Sequence, residues 1–284
     1  MFVNGIAYFH DQLDELHVDE KWFFLSKETL RYYITEREKD ENEVVKRKCR
    51  HKNHIEKVMF LAAVARPRFD DDGNCTFDGK IGLWPFVHQV PAQRKSKNRP
   101  AGTLETKCIN VKREVYTQFM YDKVLPATIA KFPLDKADCT QTVYIQQDNP
   151  NTHINLNDPE WLRVSQQDPC FKFHFKKQPA NSPDTNILDL GYFRALQSSQ
   201  WKQPPARNID ELIAQVNTAW EQYDPFKLNK IWLSHQAVCN CILEDEGHNN
   251  FQLPHIGKDK QERNAKLPIQ LEVSECALTS FGTL

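Results

Sequence analysis

At 284 residues and 33.2 kDa the chain suits one large domain or two small ones, and 40% hydrophobic residues suffice for a sizeable core. Its 37 Lys plus Arg nearly cancel 38 Asp plus Glu, which excludes a uniformly basic coat for nucleic acid, so any polyanion must be met by a local patch. No run approaches the roughly 18 apolar residues of a membrane span, and the opening MFVNGIAYFHDQ lacks the layout of a secretory signal. Eight cysteines (49, 75, 108, 139, 170, 239, 241, 276) lack framework spacing and read as reduced, mostly buried thiols. The expectation is a soluble intracellular protein without disulfides.

In chain order, Leu16-His17-Val18 is a short apolar strand ending in Asp19, followed by a charged, irregular stretch from Glu36 to Lys48. Val58 to Ala65 (VMFLAAVA) is nearly all apolar, the pattern of a central strand buried on both faces. An Asp-rich turn at Asp70 to Gly73 leads to Ile81 to Val87, a strand whose Pro85 argues for an edge or a bulge. Apolar residues at 111, 115, 119, 120 and 124 predict a helix, kinked or ended by Pro126. Val143-Tyr144-Ile145 is a strand running into Asp148. Phe171, Phe173 and Phe175 alternate with Lys172, His174 and Lys176, the period of a half-exposed strand.

The remainder reads as helical. Leu190, Phe193 and Leu196 mark one helix. Ile209, Leu212, Ile213, Val216, Ala219 and Trp220 mark a second, with Asn208 and Glu211 as a capping box. Leu228, Ile231, Trp232, His235, Cys239 and Ile242 mark a third, and residues 245–284 form a polar, loosely ordered tail. Strands flanked and followed by helices give a mixed α/β sheet covered by helices. The domain assignment is 1–244 for this unit and 245–284 for the tail.

The chemistry lies in carboxylates. If the strands ending in Asp19 and Asp148 are neighbours, both side chains project at one sheet edge, and a third could come from Asp184 or Asp189 near the following helix. Converging carboxylates suit Mg²⁺ or Mn²⁺, since hard cations prefer oxygen ligands. A pair of such ions about 3.5–4 Å apart can activate an attacking oxygen and stabilise a leaving one in phosphodiester cleavage. The bland alternative for each residue alone is a turn former or helix cap. Cys49, His51 and His54, and Cys239 with Cys241, lack a four-ligand zinc pattern, and there is no Gly-rich phosphate loop.

These same residues carry a resemblance. Val18-Asp19-Glu20-Lys21-Trp22-Phe23, Gln147-Asp148-Asn149 and Asn181-Ser182-Pro183-Asp184 resemble the three motifs of mariner-like (Tc1/mariner superfamily) transposases, over roughly residues 15 to 245. Lys57 to Arg68 (KVMFLAAVARPR) and Asn98 to Lys107 (NRPAGTLETK) look like its plant and oomycete branch. The resemblance implies a ribonuclease H-like mixed sheet flanked by helices, with the first two acidic residues on adjacent strands. By position the third acidic residue matches Asp189, which leaves Asp184 in a loop or cap. Between Asp19 and Asp148 lie 128 residues (20–147), and between Asp148 and Asp189 lie 40 (149–188), similar to the longer-gap branch.

Asp19, Asp148 and Asp189 are thereby implied as catalytic residues and as ligands of Mg²⁺ or Mn²⁺. The implied reaction is DNA cleavage at an element's terminal inverted repeats and strand transfer to a TA target, in the nucleus and as a homodimer, away from membranes. His153 matches the segment after the second motif, where it orients a phosphate or caps a turn. The motif departs from the family's usual Ala-Arg-Pro-His, reading Pro150-Asn151-Thr152-His153. Only 18 residues precede Asp19, so the family's N-terminal helix-turn-helix region is expected to be missing. An inactive or domesticated remnant that binds nucleic acid is the competing expectation. Two basic runs, Lys46 to Lys52 (KRKCRHK) and Gln93 to Arg99 (QRKSKNR), are candidate phosphate contacts or solvated hairpins, and the first could be an import signal. The six tryptophans read as packing residues, with Trp22 and Phe23 buttressing Asp19.

Overall fold

The structure, a computed structural model, describes residues 2–3, 5–25, 55–97, 99–134, 140–148, 153–154, 157–179, 182–248, 250–252, 254–263 and 267–282. Its strands relevant to the site are β1 (Glu15–Phe24), β2 (Lys57–Ala65), β3 (Lys80–Pro85), β4 (Val87–Pro91), β5 (Leu104–Cys108), β6 (Gln141–Gln147) and β7 (Phe171–Lys177). The central five-stranded sheet runs β7-β6-β1-β2-β3. β1, β2 and β3 form an antiparallel meander, and β6 and β7 add in parallel beside β1. This is the ribonuclease H-like mixed sheet, flanked by helices, that the sequence leads one to expect.

The helices are α1 (Arg113–Phe119), α2 (Leu125–Lys131), α3 (Pro159–Val164), α4 (Phe193–Gln200), α5 (Ile209–Glu221), α6 (Pro225–Glu244), α7 (Lys258–Arg263) and α8 (Glu275–Gly282). They divide between the two faces of the sheet. Leu16, Val18, Leu61, Ala63 and Ile145 pack with Tyr116, Met120 and Trp161 on one side. Phe23, Phe60, Ala62 and Val64 pack with Leu188, Phe193, Leu212 and Trp232 on the other. β2 feeds both cores, which is why its sequence is apolar at every position from Val58.

Where β1 is expected to stop at Asp19, it continues to Phe24, paired with β2 from Leu16↔Ala65 to Phe24↔Lys57. A carboxylate need not end a strand, because its side chain leaves the ladder on one face while the backbone stays in it. Pro85 closes β3, which is the edge strand, and the β2–β3 register slips at Ala63/Val64. The edge reading of Pro85 is therefore realised, while the irregularity lies at the other end of the pairing, opposite Gly82 and Lys80. Gly82 on β3 is required by its neighbour: a Cβ there would lie 2.1 Å from the Trp84 ring.

The break expected at Pro126 takes the form of a wide turn at Met120–Val124, where the Leu125 N–H bonds the Met120 carbonyl five residues back. Asn208 caps α5 by accepting the Glu211 N–H at 2.8 Å, while the Glu211 carboxylate accepts from the Arg207 N–H.

Residues 245–284, expected to be loosely ordered, include α7 and α8 and are tied to the body. The Val273 N–H donates to the Ala7 carbonyl at 2.8 Å and the Leu271 N–H to the Gln236 side chain at 2.8 Å. Hydrogen bonds of this kind leave no trace in hydropathy. The thiols also differ from expectation, since Cys75, Cys108, Cys170 and Cys276 are exposed and Cys239 and Cys241 half-buried. Among the described residues no helix is long and apolar enough to cross a membrane.

Candidate metal and catalytic site

β6 joins β1 in parallel with Gln146 opposite His17. Two residues further along both chains stand Asp148 and Asp19, so the register sets these carboxylates level at the carboxyl end of the parallel pair. Asp19 sits on the face turned to α4–α6, and across the ladder from it is Ala62, whose small side chain leaves room for a polar group. Asp148 is the first residue beyond β6, and its side chain is half-exposed, with Oδ1 buried.

The third element follows from residues 183 to 192. A turn at Pro183–Thr185 carries Asp184, and a π-helical turn at Leu188–Tyr192 carries Asp189 and continues into α4. Leu188 and Tyr192 are buried against the sheet, which leaves Asp189 directed to the mouth of the site. Its carboxylate neighbours Asp19 and feels the charges of Lys21, Asp148 and Asp184. Asp19, Asp148 and Asp189 thus stand near enough to feel one another's charge, and Asp184 bears on Asp189 as well, but among the described residues the ligand-type atoms gathered within 4.8 Å of one another belong to Glu20, Asp148 and His153 rather than to the three aspartates.

Burial is the largest influence on Asp19, followed by the charges of Asp189, Glu20 and Asp148. Together they push its carboxyl up to about 9, despite the Glu20 N–H donated to Oδ1 at 2.7 Å. Burial likewise raises the Asp189 carboxyl, which the Asp19 side chain and Lys21 only partly offset. Two neighbouring carboxyls that are both pushed up compete for their protons, because neither charge is easily borne beside the other. An excess of close oxygen donors that must retain a proton fits a divalent cation, which would replace that proton with charge.

On the opposite face of β1 is a group that sequence reasoning only half anticipates. His153 is buried, stacks on the Tyr116 ring at 4.0 Å, and bridges two carboxylates: Nε2 lies 3.0 Å from Glu20 Oε1 and Nδ1 lies 2.9 Å from Asp148 Oδ1. Burial works against its charge, yet the hydrogen bonds and charges of Asp148 and Glu20 raise its pKa to about 9. It is a cation at neutral pH, and both ring nitrogens donate. The ligand-type atoms of Glu20, Asp148 and His153 all lie within 4.8 Å of one another. Glu20 escapes sequence reasoning because its partner is 133 residues away. The available signal is strand alternation, which places Glu20 opposite Asp19.

Among the other sequence-based candidates, Arg94, Lys95 and Lys97 are exposed on the loop joining β4 to β5, and Arg99 pairs with Glu105 at 2.9 Å. Lys46 to Lys52, Asn149 and Asn181 lie outside the described residues. Trp161, Trp220 and Trp232 are buried, Phe23 lies in the core beside the site, and Trp22 lies beneath the Lys57 ammonium at 4.2 Å.

No family model matches the sequence, and a search of the curated proteins gives no match. Solved structures do match. A pre-cleavage Mos1 transpososome aligns with a TM-score of 0.58 at 12% identity, covering 85% of this chain and 58% of that one. The Mos1 strand transfer complex aligns at 0.54 and 14%, covering 85% and 56%. A Mos1 mariner paired-end complex with Mn aligns at 0.52 and 14%, covering 84% and 57%. The shared feature is the fold. The chain spans a little over half the length of these structures.

Proposed function

We propose that this chain is the catalytic domain of a mariner-like DNA transposase, cutting and joining DNA strands with Mg²⁺ or Mn²⁺. What supports the reading is that Asp19, on a strand parallel to the one that ends before Asp148, feels the charges of both Asp148 and Asp189, in a sheet whose fold resembles that of Mos1. Those three residues would hold the ions. When bound, such ions activate the attacking oxygen and stabilise the leaving one in phosphodiester cleavage and transfer.

The chain's own groups prepare the site. His153, held by Glu20 Oε1 at 3.0 Å, approaches Asp148 from the far face, its Nδ1 3.2 Å from the Asp148 carbonyl and 2.9 Å from Oδ1. Lys21 partly balances Asp189, and the proton that burial and the neighbouring acids leave on Asp19 is the one a cation would expel. The exposed Arg94, Lys95 and Lys97 supply phosphate contacts on a chain of nearly zero net charge. Acting on chromosomal DNA, the protein works in the nucleus and, by the family resemblance, as a homodimer on inverted-repeat ends with TA targets.

The test is nicking of supercoiled plasmid, and joining of labelled element ends, by purified protein with Mg²⁺ or Mn²⁺. Wild type is expected to cleave and Asp148→Ala to lose cleavage while keeping DNA binding. Cleavage that survives Asp148→Ala refutes the reading. Binding without cleavage by wild type would identify a DNA-binding remnant instead.

A further inference from the structure

One rung below the carboxylates lies a layer of buried polar side chains. His17 precedes Asp19 by two residues on the same face of β1 and is 0% exposed; Gln146 precedes Asp148 by two on β6 and is 3% exposed. Asn186 and His235, at 0% and 4%, complete the layer from the turn before Asp189 and from α6. Burying polar groups costs stability unless each finds a partner, and an apolar residue would fill any of these positions as well.

Their bonds converge on residues 185 to 188, the segment that launches Asp189. His17 Nδ1 accepts the Ile187 N–H at 3.2 Å, so its ring proton is on Nε2, facing Glu15 Oε2 at 3.3 Å. Glu15 is held in turn by Lys176 at 2.8 Å. The Thr185 carbonyl accepts from Gln146 Nε2 at 2.5 Å and from His235 Nε2 at 2.9 Å. Asn186 Oδ1 accepts the Leu188 N–H at 3.0 Å, while its Nδ2 donates to the Val18 carbonyl at 3.4 Å.

The His17–Ile187 bond therefore joins two residues that each stand two positions before a member of the Asp19–Asp189 pair. The first amides of the Asp189 turn are capped by side chains rather than left to solvent, which fixes the direction in which the turn departs from β1. The three acidic positions are braced through one layer, and it is the third, on a separate helix, that needs bracing. Asp19 and Asp148 already have their places set by the strand register.

We propose that His17 and Gln146 are positioning residues for Asp189, setting its approach to Asp19 and thereby the affinity of the acidic site for a divalent cation. The inference rests on the metal reading above. It is tested by Mn²⁺ titration calorimetry on the full chain, with the melting temperature of the metal-free protein measured in parallel. His17→Leu and Gln146→Leu should each weaken Mn²⁺ binding by about 10–100-fold, the loss expected when a ligand's outer support is removed. His17→Asn, whose Oδ1 can take the place of Nδ1, should recover most of it. In an Asp189→Ala background neither substitution should weaken binding further.

A merely structural role would lower the melting temperature and leave affinity unchanged, and that result overturns the proposal, as does an equal loss in the Asp189→Ala background. If His17→Leu does not fold, Gln146→Leu decides, because the Thr185 carbonyl keeps its bond from His235. If Asp189→Ala itself leaves Mn²⁺ affinity at the wild-type value, the metal reading fails first and the proposal with it. Wild-type affinity in a folded His17→Leu or Gln146→Leu sinks the proposal alone.

Discussion

Raising the pH should tighten cation binding at this site, and the slope follows from the Asp19 carboxyl. With its pKa raised from 3.8 to about 9 by burial and by the charges of Asp189, Glu20 and Asp148, Asp19 carries its proton throughout the neutral range. A cation that uses this oxygen must expel the proton, so the observed association constant should climb about tenfold per pH unit, or ~1.4 kcal/mol, until pH nears 9. From pH 6 to pH 8 the gain is about 100-fold. Mn²⁺ calorimetry in buffers of different ionisation enthalpy reads both quantities, and about one proton per site should be released at pH 7. Asp19→Asn, which has no proton to lose, should flatten the profile as well as weaken binding.

The metal-free protein should show the complementary trend. The folded state keeps a proton that the unfolded chain releases near 3.8, so this group's contribution to stability is fully present at acid pH and is lost as pH rises towards 9. Mn²⁺ should reverse that loss. A wild-type affinity independent of pH between 6 and 8, with no proton released, would refute the assignment of Asp19 as a ligand that is protonated before the cation binds.

Gly82→Ala should push the Trp84 ring off β3, since the added Cβ would stand 2.1 Å from it. The ring sits on an edge strand and can swing outward, so the cost is about 1–3 kcal/mol, read as a lower melting temperature with a red-shifted tryptophan emission. Unchanged values of both would mean that the ring does not cover Gly82 in solution. Neutralising Arg94, Lys95 and Lys97 together should lower the slope of log affinity for DNA against log salt by about 0.9 for each phosphate that these side chains neutralise in the wild type. An unaltered slope in fluorescence-anisotropy titrations would remove the β4–β5 loop from the DNA interface.

Legibility in the sequence tracks whether a signal is local. β2 is plain from VMFLAAVA because both of its faces are buried, and α5 from the spacing of Ile209 to Trp220 together with the Asn208 cap. Asp19, Asp148 and Asp189 stand out through the motifs around them. What stays hidden depends on pairing across the sheet. His153 meets Glu20 only because β6 lies beside β1, and Tyr116 reaches the same place from α1. Sequence reasoning misplaces the end of β1 because a buried acid looks like a terminator. The ties of the C-terminal segment are invisible to it because they run through amides, as between Leu271 and Gln236.

The turn that presents Asp189 has a further consequence. At Leu188–Tyr192 the Phe193 N–H reaches back five residues to the Leu188 carbonyl, which amounts to one residue more than an α-helix would use over the same rise. Such a loop of helix is a length adapter. It can take up or give back a single residue while the buried face of α4, with Phe193 and Leu196, stays seated against β2. Because the turn begins at Leu188, what it adjusts is the spacing between Asp189 and the buried face of α4, not the 40 residues (149–188) that separate Asp148 from Asp189.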